Sequence, residues 1–258
     1  MSNISANSLF HFTCTKENLI SIINNGFYPR YSYETFIYVE DTHSLGMSIP
    51  MVSFCDIPLS QIKNHVRQYG NYAVGLSKEW AKKKTICPVL YTHSSASLAS
   101  NIFSSFKTIE KINKENNNQN VISEVDEVFK AIAYSLCFMK PYEGKLVKDG
   151  TYKGEIIRFY DEREWRYMPS PDDFERCKIK LLKYDELGKT EILNRQLQLQ
   201  LILPFEPNDV RYIIVDKESE IIEVMNIIND AFGQKFFDDD VRLLITRILS
   251  IERIKDDF

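Results

Sequence analysis

Residues 9–34 read LFHFTCTKENLISIINNGFYPRYSYE. In the first six, Phe10 and Phe12 alternate with Leu9, His11 and Thr13, the period of a strand with two unlike faces. The aromatic pair can enter a core while His11 and Thr13 face something else. Thr15 is placed to cap a helix, Glu17 suits the positive end of its dipole, and Leu19, Ile22 and Ile23 make an apolar stripe. Gly26 ends that helix, since the position after a helix terminus favours the backbone freedom that glycine has. A strand, a capped helix, a glycine and then the loop FYPRYSYE form one unit, and the rest of the chain is read outward from it.

A second strand is expected at MVSFC (51–55), with Ser53 on the face opposite Val52 and Phe54. Asp56 and Pro58 open a helix that carries Leu59, Ile62, Val66 and Tyr69 on one side and stops at Gly70. YAVGL (72–76) reads as a strand, Ser77 caps a short helix with Trp80, and CPVLYT (87–92) reads as another strand. Over 94–139 the period changes. Leu98, Ile102, Phe106, Ile109 and Ile112 make one helical stripe, and Val121, Val125, Val128, Ile132 and Leu136 make a second. Between them KENNNQN (114–120) predicts an exposed, mobile tip, so this block is an inserted antiparallel helical hairpin.

Beta structure is expected to resume with GEIIRFY (154–160) paired to EREWRYM (162–168) through Asp161. Glu162, Glu164, Arg166 and Met168 then share one face, Arg163, Trp165 and Tyr167 the other. CKIKLLKY (177–184) and VRYIIV (210–215) read as further strands, and two apolar-periodic stretches, 218–232 and 239–249, close the chain. The fold class predicted is α+β: a mixed, mainly antiparallel sheet with packed helices. One α/β domain spans 1–258, with the hairpin 94–139 inserted in it.

Composition narrows the function. With 44% hydrophobic and 26% charged residues the chain has the make-up of a globular protein. Its 32 basic and 36 acidic residues leave a net charge of −4, which argues against nucleic acid as a stable partner. The start, MSNISANSLF, lacks a basic region followed by an apolar core, and no apolar run approaches a membrane span, so a cytoplasmic protein is expected. Five widely spaced cysteines without a CxxC pair are expected to be buried, reduced thiols. No Walker loop, GxGxxG, HExxH or GxSxG occurs, and His11, His43, His65 and His93 lack metal-ligand spacing, so no metal is expected.

LFHFT, NGFYPRYSYE, PMVSFCDIPLS, YGNYAVGLSKEW and DEREWRY, together with the tail ITRILSIERIKDDF, resemble the AbiGi family of abortive phage resistance proteins. That resemblance implies the antitoxin of an abortive-infection operon, acting with an operon-encoded toxin. HFT followed by NLISIINNGF, and the later Glu162-Arg163-Glu164, also resemble ADP-ribosyltransferase-like folds of the DarT type. This second resemblance implies NAD as cofactor, with nucleic acid possible as an acceptor. It makes Glu164 the catalytic acid with Glu162 beside it, and His11 a ribose contact. Tyr69 or Tyr72 would fill an aromatic position, and Thr13, Arg30 and Ser53 would complete the cofactor site. The chemistry requires such groups: cleaving the nicotinamide–ribose bond builds oxocarbenium character that a carboxylate stabilises, while an arginine grips a pyrophosphate. Each residue has a plainer role as well. Glu164 and Arg166 could be cross-strand ion-pair residues on a wet sheet face, and Arg30 and Glu34 could pair to stitch the loop.

Overall fold

The structure is a computed structural model and describes residues 7–37, 45–93, 95–115, 119–148, 151–182 and 184–257. Its strands begin with β1 (Ser8–Thr13), β2 (Arg30–Ile37), β3 (Leu45–Cys55) and β4 (Tyr72–Ser77). They continue with β5 (Cys87–Pro88), β6 (Leu90–Thr92), β7 (Met139–Pro141), β8 (Gly144–Lys148) and β9 (Thr151–Ile157). The last are β10 (Glu164–Tyr167), β11 (Val210–Val215) and β12 (Ile248–Ser250). The helices are α1 (Lys16–Asn25), α2 (Ile62–Tyr69), α3 (Lys78–Lys83), α4 (Ser97–Glu115) and α5 (Gln119–Leu136). They are followed by α6 (Pro171–Arg176), α7 (Thr190–Gln200), α8 (Ile221–Phe232), α9 (Asp238–Ile245) and α10 (Ile251–Asp257).

The main sheet runs β12-β11-β4-β1-β3-β10-β5, with β2 added alongside β3. Apart from the parallel β11–β12 pair its ladders are antiparallel, so the α+β class holds. The opening unit forms as its residues dictate. The Thr15 side chain accepts from the Asn18 amide, the Gly26 amide closes on the Ile22 carbonyl, and Leu19 and Ile23 are buried. One face of the sheet packs Leu9, Val52, Phe54, Val74 and Trp80 against α1 and α8. The other face packs Phe10 and Ala73 against Ile62 and Val66 of α2 and Ile254 of α10. A third cluster joins Phe36, Ile49 and Met51 to Phe106, Ala133 and Leu136 of α4 and α5. Residues 116–118, the centre of the expected tip, lie outside the described residues.

Two expectations fail. Segment 154–168 is not a hairpin, for β9 pairs with β8 while β10 pairs with β3 and β5. A 3-10 turn at Phe159–Glu162, followed by Arg163 in the left-handed region (φ 44), turns β10 away into the main sheet. Among the described residues of 177–184 there is no strand, only an isolated bridge from Leu182 to Ser48. Lys178 (φ 53) breaks its extended run just after the capped helix α6. The apolar-periodic stretch 239–249 forms most of α9 and the start of β12, which adds in parallel to β11. The cysteines are free thiols, but Cys14 and Cys87 are exposed rather than buried.

Gly70, which ends α2, has φ 109 and ψ 169, a conformation almost confined to glycine. A Cβ there would lie 2.3 Å from the Thr13 carbonyl oxygen and 2.5 Å from the Cys14 Cα, neither of which can swing aside. Gly70→Ala is therefore expected to lower unfolding stability by about 2–4 kcal/mol, read from the denaturant midpoint. An unchanged midpoint would mean that β1 and the end of α2 do not approach so closely.

Candidate functional site

The sheet opens between β1 and β3. β1 pairs with β4 over its whole length, Ser8 to Thr13, yet meets β3 only at Phe10–Cys55. His11 stands at this opening, its Nδ1 donating to the Ser53 carbonyl at 2.9 Å. Its ring packs edge-on against Phe27 and Phe54, at 5.2 and 5.8 Å between centroids. Burial pulls its pKa down, with the Ser53 carbonyl acting in the other direction, so the ring is neutral at pH 7. With Nδ1 carrying the proton, Nε2 is the acceptor nitrogen.

Two adjoining cavities meet here. The larger, about 570 Å³, is lined by His11, Ser53, Tyr69, Glu162 and Glu164 among others. The smaller, about 270 Å³, shares His11, Ser32, Met51 and Ser53 with it and extends to Thr13 and Arg30. The residues singled out in the sequence thus gather around one opening. Between the two tyrosines, Tyr69 lines the cavity, whereas Tyr72 donates to Glu220 at 3.0 Å on α1's side of the sheet. Arg30 is exposed and does not stitch its loop to Glu34. Glu34 is held instead by Arg166, at 2.9 Å.

Glu164 and Arg166 are not on a wet face. They are 3% and 0% exposed, at the centre of a buried ion network. Glu164 Oε1 accepts from Arg166 Nε at 2.8 Å, and Oε2 accepts from Lys140 Nζ at 2.7 Å. Glu162 Oε2 accepts from the same ammonium at 2.8 Å, and its Oε1 accepts from the Tyr69 hydroxyl at 2.5 Å. Arg166 Nη1 donates to the Cys137 carbonyl at the end of α5. Lys140, on β7, is the member that sequence reading missed. The signal available was a lone lysine in the apolar run CFMKP (137–141), next to the hairpin's last turn.

Electrostatics follow from burial and pairing. Burial opposes ionisation of Glu164, but Arg166 and Lys140 outweigh it and hold the carboxyl below its ordinary value. Burial likewise opposes the charge on Lys140, but Glu164, Glu162 and Glu34 outweigh it and raise its pKa well above normal. For Glu34 burial wins over the attraction of Arg166 and Lys140, so its carboxyl titrates above the usual range. Burial also raises the Tyr69 phenol, with Glu162 adding to the effect, so it remains a donor at neutral pH. Among the described residues no group of three or more His, Cys, Asp or Glu side chains is placed to hold a metal ion. Nor is any helix among them long and apolar enough to cross a membrane.

Over residues 25–216 the chain matches the family model described as "Putative abortive phage resistance protein AbiGi, antitoxin". It is 28% identical over 254 residues to the abortive phage resistance protein AbiGi of Lactococcus lactis subsp. cremoris, covering 90% of this chain and 99% of the relative. No solved structure matches it. The chain belongs to the AbiGi family.

Removing one partner from a buried ion cluster leaves charge uncompensated. Arg166→Leu strands Glu34 and leaves Glu164 with Lys140 alone, and is expected to cost about 3–5 kcal/mol at pH 7, read by chemical denaturation. The penalty should shrink toward pH 5, as the stranded carboxyl takes up a proton. Glu34 gives a second test. Its folded pKa lies above its unfolded one, so its burial penalty is fully present above the folded pKa and relieved as pH falls through it. Glu34→Gln abolishes that relief, so wild-type stability minus variant stability should grow from pH 7 to pH 5. A flat difference would show that Glu34 is not buried against its charge.

Proposed function

We propose that this member of the AbiGi family is the antitoxin of a cytoplasmic phage-defence pair and acts by binding an operon-encoded toxin rather than by catalysis. The observation that carries this reading is that the paired carboxylates are already occupied. Both oxygens of Glu162 and both of Glu164 accept from Tyr69, Lys140 or Arg166. A carboxylate that stabilises an oxocarbenium-like transition state must turn negative charge toward a sugar. Here two cations and a phenol draw that charge into the protein. The family description, which names an antitoxin, supports the same role. The test is to express the toxin alone and together with this chain. Restored growth and a stoichiometric complex on size-exclusion chromatography are expected, and persistent toxicity without a complex would overturn the reading.

A second reading is favoured by one observation: His11, Ser53, Tyr69, Glu162 and Glu164 line a single cavity, and Thr13 and Arg30 line the one joined to it. That arrangement suits an ADP-ribosyltransferase-like site for NAD, with His11 on a ribose and Glu164 as the acid. The two readings separate in one assay. Purified protein incubated with NAD is expected to release no nicotinamide, with or without its partner. If it does release nicotinamide, Glu164→Gln in a folded variant should lower the rate by about a hundred- to a thousandfold, whereas His11→Ala should mainly weaken NAD binding.

A further inference from the structure

The larger cavity and the helical hairpin share a wall. Lys140 lines the cavity and lies on β7, which begins three residues after α5 ends. Its ammonium donates to Glu162 and Glu164, cavity residues that belong to neither helix of the hairpin. From the other side, Arg166 holds Glu164 and Glu34 and also donates to the carbonyl of Cys137, just past the end of α5. Two cations therefore tie the cavity's carboxylates to the root of the hairpin. Apolar packing follows the same path, for Met51 lines both cavities and clusters with Phe106, Ala133, Leu136 and Met139. Farther out, α4 leaves Ile112 and α5 leaves Val128 40% or more exposed, whereas Leu136 at the end of α5 is buried.

We propose that the α4–α5 hairpin is an arm coupled to the cavity through Lys140 and Arg166, so that whatever re-pairs Lys140 inside the cavity loosens or re-sets the arm. This device goes beyond the antitoxin role and does not depend on it. The ion network is a contiguous two-ended element, and coupling through such an element is reciprocal: a protein that grips the arm must also change the cavity's affinity for a ligand.

The test perturbs the cavity side and reads the arm by hydrogen–deuterium exchange. Glu162→Gln weakens the Lys140 grip from a residue outside the hairpin. Tyr69→Phe removes one hydroxyl, keeps the ring and spares the fold. Weakening a charged hydrogen bond shifts a local opening equilibrium by about ten- to a hundredfold. In Glu162→Gln the amides of β7 and of the last two turns of α5 are expected to exchange faster by a factor in that range, with those of β11 and α8 unchanged. Tyr69→Phe should give a smaller acceleration at the same amides. Rates at the hairpin root equal to wild type in both variants would overturn the proposal. An equal acceleration throughout the protein would overturn it too, because that reports global destabilisation and not a directed link.

Discussion

The buried pairing of Lys140 and Arg166 with Glu34, Glu162 and Glu164 is the constraint on which the other elements depend. Charges this deep persist only with close partners, because each loses several kcal/mol of hydration and must recover it from short, well-aligned bonds. The five side chains come from β2, β7 and the stretch that runs from the 3-10 turn into β10, three regions separated in the sequence. Neither β2 nor β7 can shift against β10 without leaving a charge unpaired. A purely apolar floor would allow sliding at little cost. The ionic one ties β10 to β2 and β7, while β10 lies on β3 in the register that sets Glu164 opposite Cys55 and Arg166 opposite Ser53.

That constraint explains which parts of the fold were legible in the sequence. The opening strand and helix were readable because their determinants are local: alternation at residues 9–13, a threonine cap and a glycine stop. The helices of the hairpin were readable for the same reason, as two long stripes of period 3.6. Segment 154–168 was misread because both halves carry strand patterns and a short turn lies between them. What decides the pairing is distant. Glu164 and Arg166 need Lys140, Cys137 and Glu34, and a left-handed Arg163 makes that reach possible. Local periodicity holds no record of such partners. CKIKLLKY failed likewise: alternation predicts a strand only where an edge is free to receive it, and Leu182 finds a single bridge.

The site was legible in part. Placing His11 on the strand face opposite Phe10 and Phe12 identified a histidine at the opening of the sheet, and the i, i+2 glutamates line the same cavity. Their partners stayed hidden. The bland alternative, a surface ion pair, had the right chemistry in the wrong environment, since Glu164 and Arg166 do pair but are almost wholly buried. Environment changes the meaning of the pair. On a wet face it would contribute within about 1 kcal/mol, whereas here breaking it exposes a buried charge to a penalty several times larger.

The same environment sets the balance between binding and catalysis. A carboxylate can stabilise positive charge on a substrate in proportion to the negative charge it still presents. Glu164 is held ionised by Arg166 and Lys140, and those two cations also lie nearest to its oxygens, so the field it projects into the cavity is largely cancelled. Glu162 shares Lys140 and is capped by the Tyr69 hydroxyl. For the cavity to act on a sugar, the ammonium of Lys140 would have to swing away, and that motion would strip β7, and with it the hairpin root, of its charged anchor. On the coupling proposed above, chemistry in the cavity would therefore come with a loosened hairpin root. The paired arrangement seen here, with Lys140 on both glutamates, is thus the one that fits the proposed binding role.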